Sequence, residues 1–201
     1  MRRLHAVPLR PVEPSVQILA LCTANQCRSP MAEVLLRRAL EARGIDAVVR
    51  SAGLRPGGFP ASPGSVRAMA RRRLVLDGHC SHQLLVDDVT RADLVVCMAR
   101  SHAREAVVLH PVSWPRTFTL KELVRRGGAI GPRRPDQPFD EWLTDLGRGR
   151  QRGALMGADP DDDVADPIGG PDTAYEATAA LLEDLITRAV ALAFPGDLLR
   201  R

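Results

Sequence analysis

Apolar residues in this chain fall into short continuous runs separated by longer stretches with helical spacing. Residues 16–22 (VQILALC), 47–51 (AVVRS) and 94–98 (LVVCM) are runs of the length and composition of buried parallel strands. Residues 112–118 read as a weaker edge strand, interrupted by Pro115. Between these runs the period changes. Ser29 and Pro30 open a helical pattern, with serine as a favoured N-cap and proline tolerated in the first turn. Val34, Leu35, Leu36, Ala39 and Leu40 supply its apolar stripe, and Gly44 ends it. Helices are expected at 65–76, 101–109 and 119–126. A long final helix is expected at 172–192, with Tyr175, Ala179, Leu182, Ile186 and Val190 near one face. Strands alternating with helices predict an α/β fold in which a parallel sheet is flanked by helices.

Two segments leave the pattern. Residues 1–15 read as a flexible, Pro-containing N-terminal arm, which leaves 16–201 as the folded domain. Residues 127–160 are rich in Gly, Pro, Arg and Asp and read as an insertion, with a helical turn at 139–146. So polar a segment is expected to add little core and to be dispensable for folding.

Composition narrows the function classes. Hydrophobic residues make up 45% of the 201 positions but aromatics only 3%, so aliphatic side chains and alanine must fill the core. The formal net charge is +4, and all basic residues except Lys121 are arginine. The arginines are scattered along the chain, not gathered into a stripe, which argues against a nucleic-acid partner. The first residues have no apolar run that would make a signal peptide, and no stretch approaches the length of a membrane span. Cys22, Cys27, Cys80 and Cys97 lack metal-type spacing, and neither a metal nor another cofactor is expected. A cytoplasmic setting, where thiols stay reduced, fits this usage.

The chemistry concentrates between the first strand and the first helix, in Cys22-Thr23-Ala24-Asn25-Gln26-Cys27-Arg28-Ser29. Exposed N–H groups and the helix dipole make such a junction an anion site. Successive amides curling around one point would form a nest for phosphate oxygens. Arg28 adds a planar fork matched to two of those oxygens. The same positive surroundings, with a hydroxyl donated by Ser29, would hold Cys22 as thiolate, the nucleophilic form. By chance alone a Cys-x5-Arg-Ser arrangement would arise here in roughly 2% of chains of this composition. The bland alternative is a buried strand-end cysteine beside a capping serine.

Residues 18–40 (ILALCTANQCRSPMAEVLLRRAL) resemble the signature of the low-molecular-weight protein tyrosine phosphatases. Further matches follow in order at 51–53 (SAG), 78–79 (GH), 83–84 (QL), 92–98 (ADLVVCM) and 166–170 (DPIGG). The resemblance covers about 16–126 and 163–194. It implies a three-layer α/β fold with a four-stranded parallel sheet and a phosphate-binding loop after the first strand. It also implies a phosphatase working through a cysteinyl-phosphate intermediate. Cys22 would be the nucleophile. Arg28 and the amides of Thr23, Ala24, Asn25, Gln26, Cys27 and Arg28 would hold the phosphoryl oxygens. Asp166 would be the general acid, and is selected from an acidic turn by this resemblance alone. Asp161, Asp162 and Asp163, its neighbours, are expected to be catalytically silent. Asn25 and His79 match residues that support the loop by hydrogen bonding. Cys27 matches a second cysteine that can form a protective disulfide with the nucleophile, or is simply a small buried filler. The implied partner is a phosphorylated protein substrate, phosphotyrosine favoured, acted on by a monomer or weak homodimer.

Several positions depart from that pattern. Ala24 stands where relatives usually carry glycine, which asks whether the backbone there needs positive φ. Gln26 replaces a commonly apolar residue, Ile168 a common aromatic, and His82 a common arginine. Phe59 is left as the aromatic able to wall a phenyl ring. The phosphate-handling parts are intact while the tyrosine-recognising parts are thinned. A protein arginine phosphatase and a thiol-coupled arsenate reductase on the same scaffold are therefore alternatives, the latter needing Cys80 or Cys97 as electron donors. A phosphate-loop binding module without turnover is a non-enzymatic one.

Overall fold

The computed structural model describes residues 16–196; the expected N-terminal arm lies outside them. Four parallel strands, β1 (Val16–Cys22), β2 (Ala47–Gly53), β3 (Leu94–Cys97) and β4 (Thr117–Thr119), form one sheet in the order β2-β1-β3-β4. Helices α1 (Arg28–Glu41), α2 (Pro63–Ala70), α3 (Val86–Arg91), α4 (Arg100–Leu109), α5 (Leu120–Ile130), α6 (Phe139–Gly147) and α7 (Asp172–Ala193) surround it. The three-layer arrangement with its four-stranded sheet is the one expected.

Alternation along β1 divides the core. Ile18, Ala20 and Cys22 join the larger cluster with Met31, Leu35, Phe118, Trp142, Leu182 and Ile186. Leu19 and Leu21 face the smaller cluster with Val89, Val95, Ala103 and Ala106. Burial on both faces explains why these strands read as unbroken apolar runs. The β2 register pairs Cys22 with Gly53, and the β3 register pairs Leu21 with Cys97. The chain thus leaves β1 toward β2 on one side and returns to β3 on the other. A crevice at the carboxyl end of β1 is where such sheets bind ligands.

Several elements differ from expectation. Ser29 is not the N-cap of α1, which begins at Arg28 with Cys27 capping; the Ser29 side chain is directed at a different partner. The second helix stops at Ala70 because Arg73 takes a left-handed φ of 58° and turns the chain. Residues 111–116 form a 3-10 helix, since Pro111 and Pro115 cannot donate to a sheet ladder; only residues 117–119 pair with β3. α5 continues through Gly127 and Gly128, and Gly127 packs against the Leu192 side chain. α3, unforeseen, is started by Asp88 accepting the Leu85 amide at 2.9 Å and buries Val89.

The reading of 127–160 as a segment poor in core is overturned. α6 buries Trp142, Leu143 and Leu146, and Trp142 ranks among the largest fully buried side chains. Phe139 stacks on Trp142 at 6.2 Å and meets Phe194 at 5.2 Å. Arg150 enters the body of the protein between the rings of Trp114 and Phe118, 3.9 and 4.0 Å from their centroids. Its guanidinium there pairs with Glu122 at 2.8 Å and donates to the carbonyls of Trp114 and Thr117. Among the described residues no helix is long and apolar enough to cross a membrane.

Candidate active site

The loop after β1 is held from outside by its carbonyl groups. Thr23 O accepts the amides of Leu54 and Arg55 at 2.7 and 3.0 Å, and Gln26 O that of Ser62 at 2.7 Å. His79 donates from Nε2 to Asn25 O at 2.7 Å, which places its proton on that nitrogen. With the carbonyls turned outward, the amides of residues 24–27 have no protein acceptor among the described residues. They are free to donate to an anion at the N-terminus of α1.

Asn25 carries the conformational strain. It has a φ of 53°, one of two non-glycine residues in the left-handed region among the described residues, while Ala24 is not one of them. A methyl group at 24 is therefore compatible with the loop. The Asn25 side chain fixes its surroundings in return. Its Nδ2 donates to Ser29 Oγ at 2.9 Å and Ser51 Oγ at 2.8 Å, and its Oδ1 accepts the His82 amide at 2.8 Å. Ser51 in turn donates to Glu33, which also pairs with Arg37. Gly53 is required beside this residue, because a Cβ there would lie 2.6 Å from the Asn25 nitrogen.

The chain of donors ends at sulfur. Ser29 Oγ, accepting from Asn25, directs its own proton at Cys22 Sγ, 3.0 Å away, with the Ala52 carbonyl farther off at 3.3 Å. Cys22 and Cys27 are buried, and both are free thiols. Burial, together with the nearby Asp166 and Cys22 and partly offset by the hydroxyls of Ser65 and Ser62, pushes the Cys27 thiol up to about 11.

Arg28 binds the loop to the far end of the sequence. Nη1 donates to Val164 O at 2.9 Å; Nη2 donates to Thr23 Oγ1 at 3.2 Å and to Asp166 Oδ2 at 2.5 Å. Its buried Nε has no acceptor among the described residues. With Nη1 and Nη2 engaged, Nε is the guanidinium donor left open to an anion. The structure thus brings together Cys22, Arg28 and Asp166, the last two separated by 138 residues.

The sequence reading missed His102 and Ser51 as parts of the site. His102, buried on the first turn of α4, lies 3.1 Å from Thr23 Oγ1 through Nε2. Thr23 accepts from Arg28, so its own proton is left for the imidazole. Burial, reinforced by the Arg28 charge, lowers the His102 pKa to about 3, so the ring is neutral. The clue was its position just past the 92–98 match. Ser51 stood inside a matched motif without an assigned task. Asp162 and Asp163 bind Arg100 and the N-terminus of α4. Cys97 is fully buried on the opposite face of the sheet, in the cluster of Leu19 and Leu21. Cys80 is exposed. Among the described residues no group of three or more His, Cys, Asp or Glu is arranged to hold a metal.

Comparison with known proteins matches this geometry to a family. The profile described as low molecular weight phosphotyrosine protein phosphatase matches residues 17–130. The probable low molecular weight protein-tyrosine-phosphatase EpsP of Ralstonia solanacearum is 35% identical over 133 residues, 66% of this chain and 89% of that protein. The protein-arginine-phosphatase of Bacillus subtilis is 31% identical over 173 residues, 85% of this chain and 92% of its own. The crystal structure of the low molecular weight protein tyrosine phosphatase from T. tengcongensis superposes with a TM-score of 0.67 at 32% identity. It covers 88% of this chain and 98% of that one. The chain belongs to the low molecular weight phosphotyrosine protein phosphatase family.

Proposed function

We propose that the protein hydrolyses phosphoprotein monoesters, phosphotyrosine favoured, through a covalent phosphate on Cys22. The observation that carries this reading is the convergence on Cys22 and Arg28 of a serine hydroxyl, a row of free amides and the Asp166 carboxyl. The free amides and Arg28 take the three peripheral phosphoryl oxygens and stabilise the charge that shifts among them as the bond to the leaving oxygen lengthens. Cys22 sulfur attacks phosphorus, the P–O bond to the substrate breaks, and Asp166 gives its proton to the departing oxygen. Water then attacks the cysteinyl phosphate; Asp166, now a carboxylate, takes the water's proton, and the P–S bond breaks to return the Cys22 thiolate and release inorganic phosphate. Substrate phosphate competes with Asp166 for Arg28 Nη2, freeing the acid to turn toward the leaving group.

A second reading is favoured by one comparison: the arginine phosphatase relative matches 85% of the chain, against 66% for the tyrosine phosphatase relative. Gln26 on the loop, and the half-exposed Phe59 and Ile168, are compatible with a phosphoarginine side chain. Of the two cysteines an arsenate reductase would draw on, Cys97 is sealed in the core and Cys80 alone is exposed.

Turnover measured side by side on phosphotyrosine and phosphoarginine peptides, with parent and Cys22→Ser protein, tests the proposal. Parent activity on phosphotyrosine, lost in Cys22→Ser while vanadate still binds, is expected. A higher kcat/KM on phosphoarginine selects the second reading. Substantial hydrolysis by Cys22→Ser overturns the covalent route.

A further inference from the structure

The residues ahead of Asp166 form a braced turn whose construction the phosphate chemistry alone does not require. Arg100, the first residue of α4, reaches into it from one side. Its backbone N–H donates to Asp163 Oδ1 at 2.7 Å and its Nε to Asp162 Oδ2 at 2.7 Å, and its Nη2 pairs with Asp159 at 2.7 Å. From the other side Arg125 Nη2 takes the second Asp162 oxygen at 2.7 Å, and Lys121 donates to Pro160 O at 2.7 Å. The turn also closes on itself, with the Asp163 amide donating to Asp159 O at 2.7 Å.

The brace is built at depth. Asp162 is only 5% exposed, although carboxylates are seldom buried without full pairing. Both of its oxygens are taken by arginines from different helices. One residue past Asp163, the Val164 amide donates to Met98 O at 2.8 Å, at the carboxyl end of β3. Asp166 itself is looser. Its side chain is 36% exposed, and its partners are Arg28 and the Ile168 amide two residues on. Three residues of chain span at most about 11 Å, so a fixed Asp163 tethers Asp166 within that reach.

We propose that Arg100 is a positioning residue for the leaving-group step: by clamping Asp159, Asp162 and Asp163 it holds the turn so that Asp166 reaches the departing oxygen. This rests on the reading of Asp166 as the general acid. Arg100 touches neither Cys22 nor Arg28, so it acts only through the turn. Its loss leaves Asp166 chemically intact but lets it occupy many positions. A displacement of about 1 Å in a reacting group is enough to cost on the order of a hundredfold in rate.

The experiment compares kcat/KM on phenyl phosphate, whose leaving oxygen needs a proton, with nitrophenyl phosphate, whose leaving group departs nearly unaided. Asp166→Asn should lose about 10²–10⁴-fold on the first and far less on the second. Arg100→Met should show the same discrimination, with at least about a tenfold loss on phenyl phosphate, and vanadate should inhibit as in the parent. Arg100→Lys should recover part of the loss, keeping the charge without the fork. The decisive arm is the cycle: in an Asp166→Asn background, Arg100→Met should add less than about twofold. If Arg100→Met does not fold, Asp162→Asn, which keeps the side-chain shape, takes its place in each arm. Equal losses on both substrates from the Arg100 variant, or a loss undiminished in the Asp166→Asn background, overturn the clamp while leaving Asp166 as the acid. Equal losses on both substrates from Asp166→Asn remove the acid itself, and the proposal with it.

Discussion

Gly53 shows how closely the site depends on single atoms. It ends β2, pairs in register with Cys22, and lies under the phosphate-loop backbone. A methyl group there would approach Asn25 N to 2.6 Å and the Ala24 carbonyl carbon to 2.8 Å, both backbone atoms that cannot swing aside. Gly53→Ala therefore has to move the loop. The expected result is a fall of roughly a hundredfold in kcat/KM together with weaker vanadate binding, because the amides that hold the anion are displaced. Kinetics with a vanadate titration measure both, and unchanged vanadate affinity would show that the loop absorbs the methyl without moving. Asn25, by contrast, carries the left-handed φ that a glycine at 24 was expected to need. Asparagine tolerates that region better than most residues, and here its side chain occupies three hydrogen-bonding partners in compensation.

At the scale of elements, α6 and the stretch behind it change the status of the 127–160 segment. Periodicity placed a helical turn at 139–146, and the helix at Phe139–Gly147 agrees with it. Composition suggested that the segment was dispensable, because composition averages over the three buried residues that matter. Trp142, Leu143 and Leu146 lie on one side of α6 and enter the main core, and Arg150 fills the gap between Trp114 and Phe118. Trp142→Ala should destabilise the protein by about 3–5 kcal/mol, the cost of a large cavity in a core that cannot collapse around it. In a chain of this size that lowers Tm by roughly 10 °C, measurable by circular dichroism. A change of under about 2 °C would restore the segment to the status of a dispensable insertion.

For the whole molecule, charge is organised in two ways. On the surface, Arg67, Arg71 and Arg72 of α2 and its following turn meet Asp172, Glu176 and Glu183 of α7. Such pairs are screened by salt and individually weak. Inside, His102 is kept neutral beside Arg28, and its pKa falls from an ordinary 6.5 to about 3. The unfolded chain binds a proton at this position below about pH 6.5 and the native protein does not until about pH 3, so stability falls as pH drops through that window. Urea denaturation at pH 7 and pH 5 should show the parent losing stability. His102→Asn, which cannot titrate, should lose less over the same interval. Equal losses would mean that other groups govern that limb. Asp162 works in the same sense, at lower pH. Burial pushes its carboxyl up, but Arg125 and Arg100 outweigh this and hold it below the usual carboxylate range. The stability it contributes is complete above about pH 4 and is lost as pH falls further.

What the amino-acid order determined by itself is local. Short unbroken runs of Val, Leu and Ile, and stripes on a helical period, specify β1, β3, α1 and α7 through contacts within a few positions. The same holds for the phosphate loop. Its parts lie within eight consecutive residues between a strand and a helix, so Cys22, Arg28 and Ser29 were legible without any long-range information. His79 and Asp166 were reached only through resemblance. Tertiary structure alone decided the rest. It brought Asp166 to 2.5 Å from Arg28, and gave Asp162 and Asp163 to Arg100 instead. It recruited His102 and Ser51, extended α5 through two glycines, and made a core residue of Trp142. The physical reason is common to all of these. A polar or large apolar side chain has several acceptable environments in sequence, and only the close packing of segments distant along the chain removes all but one.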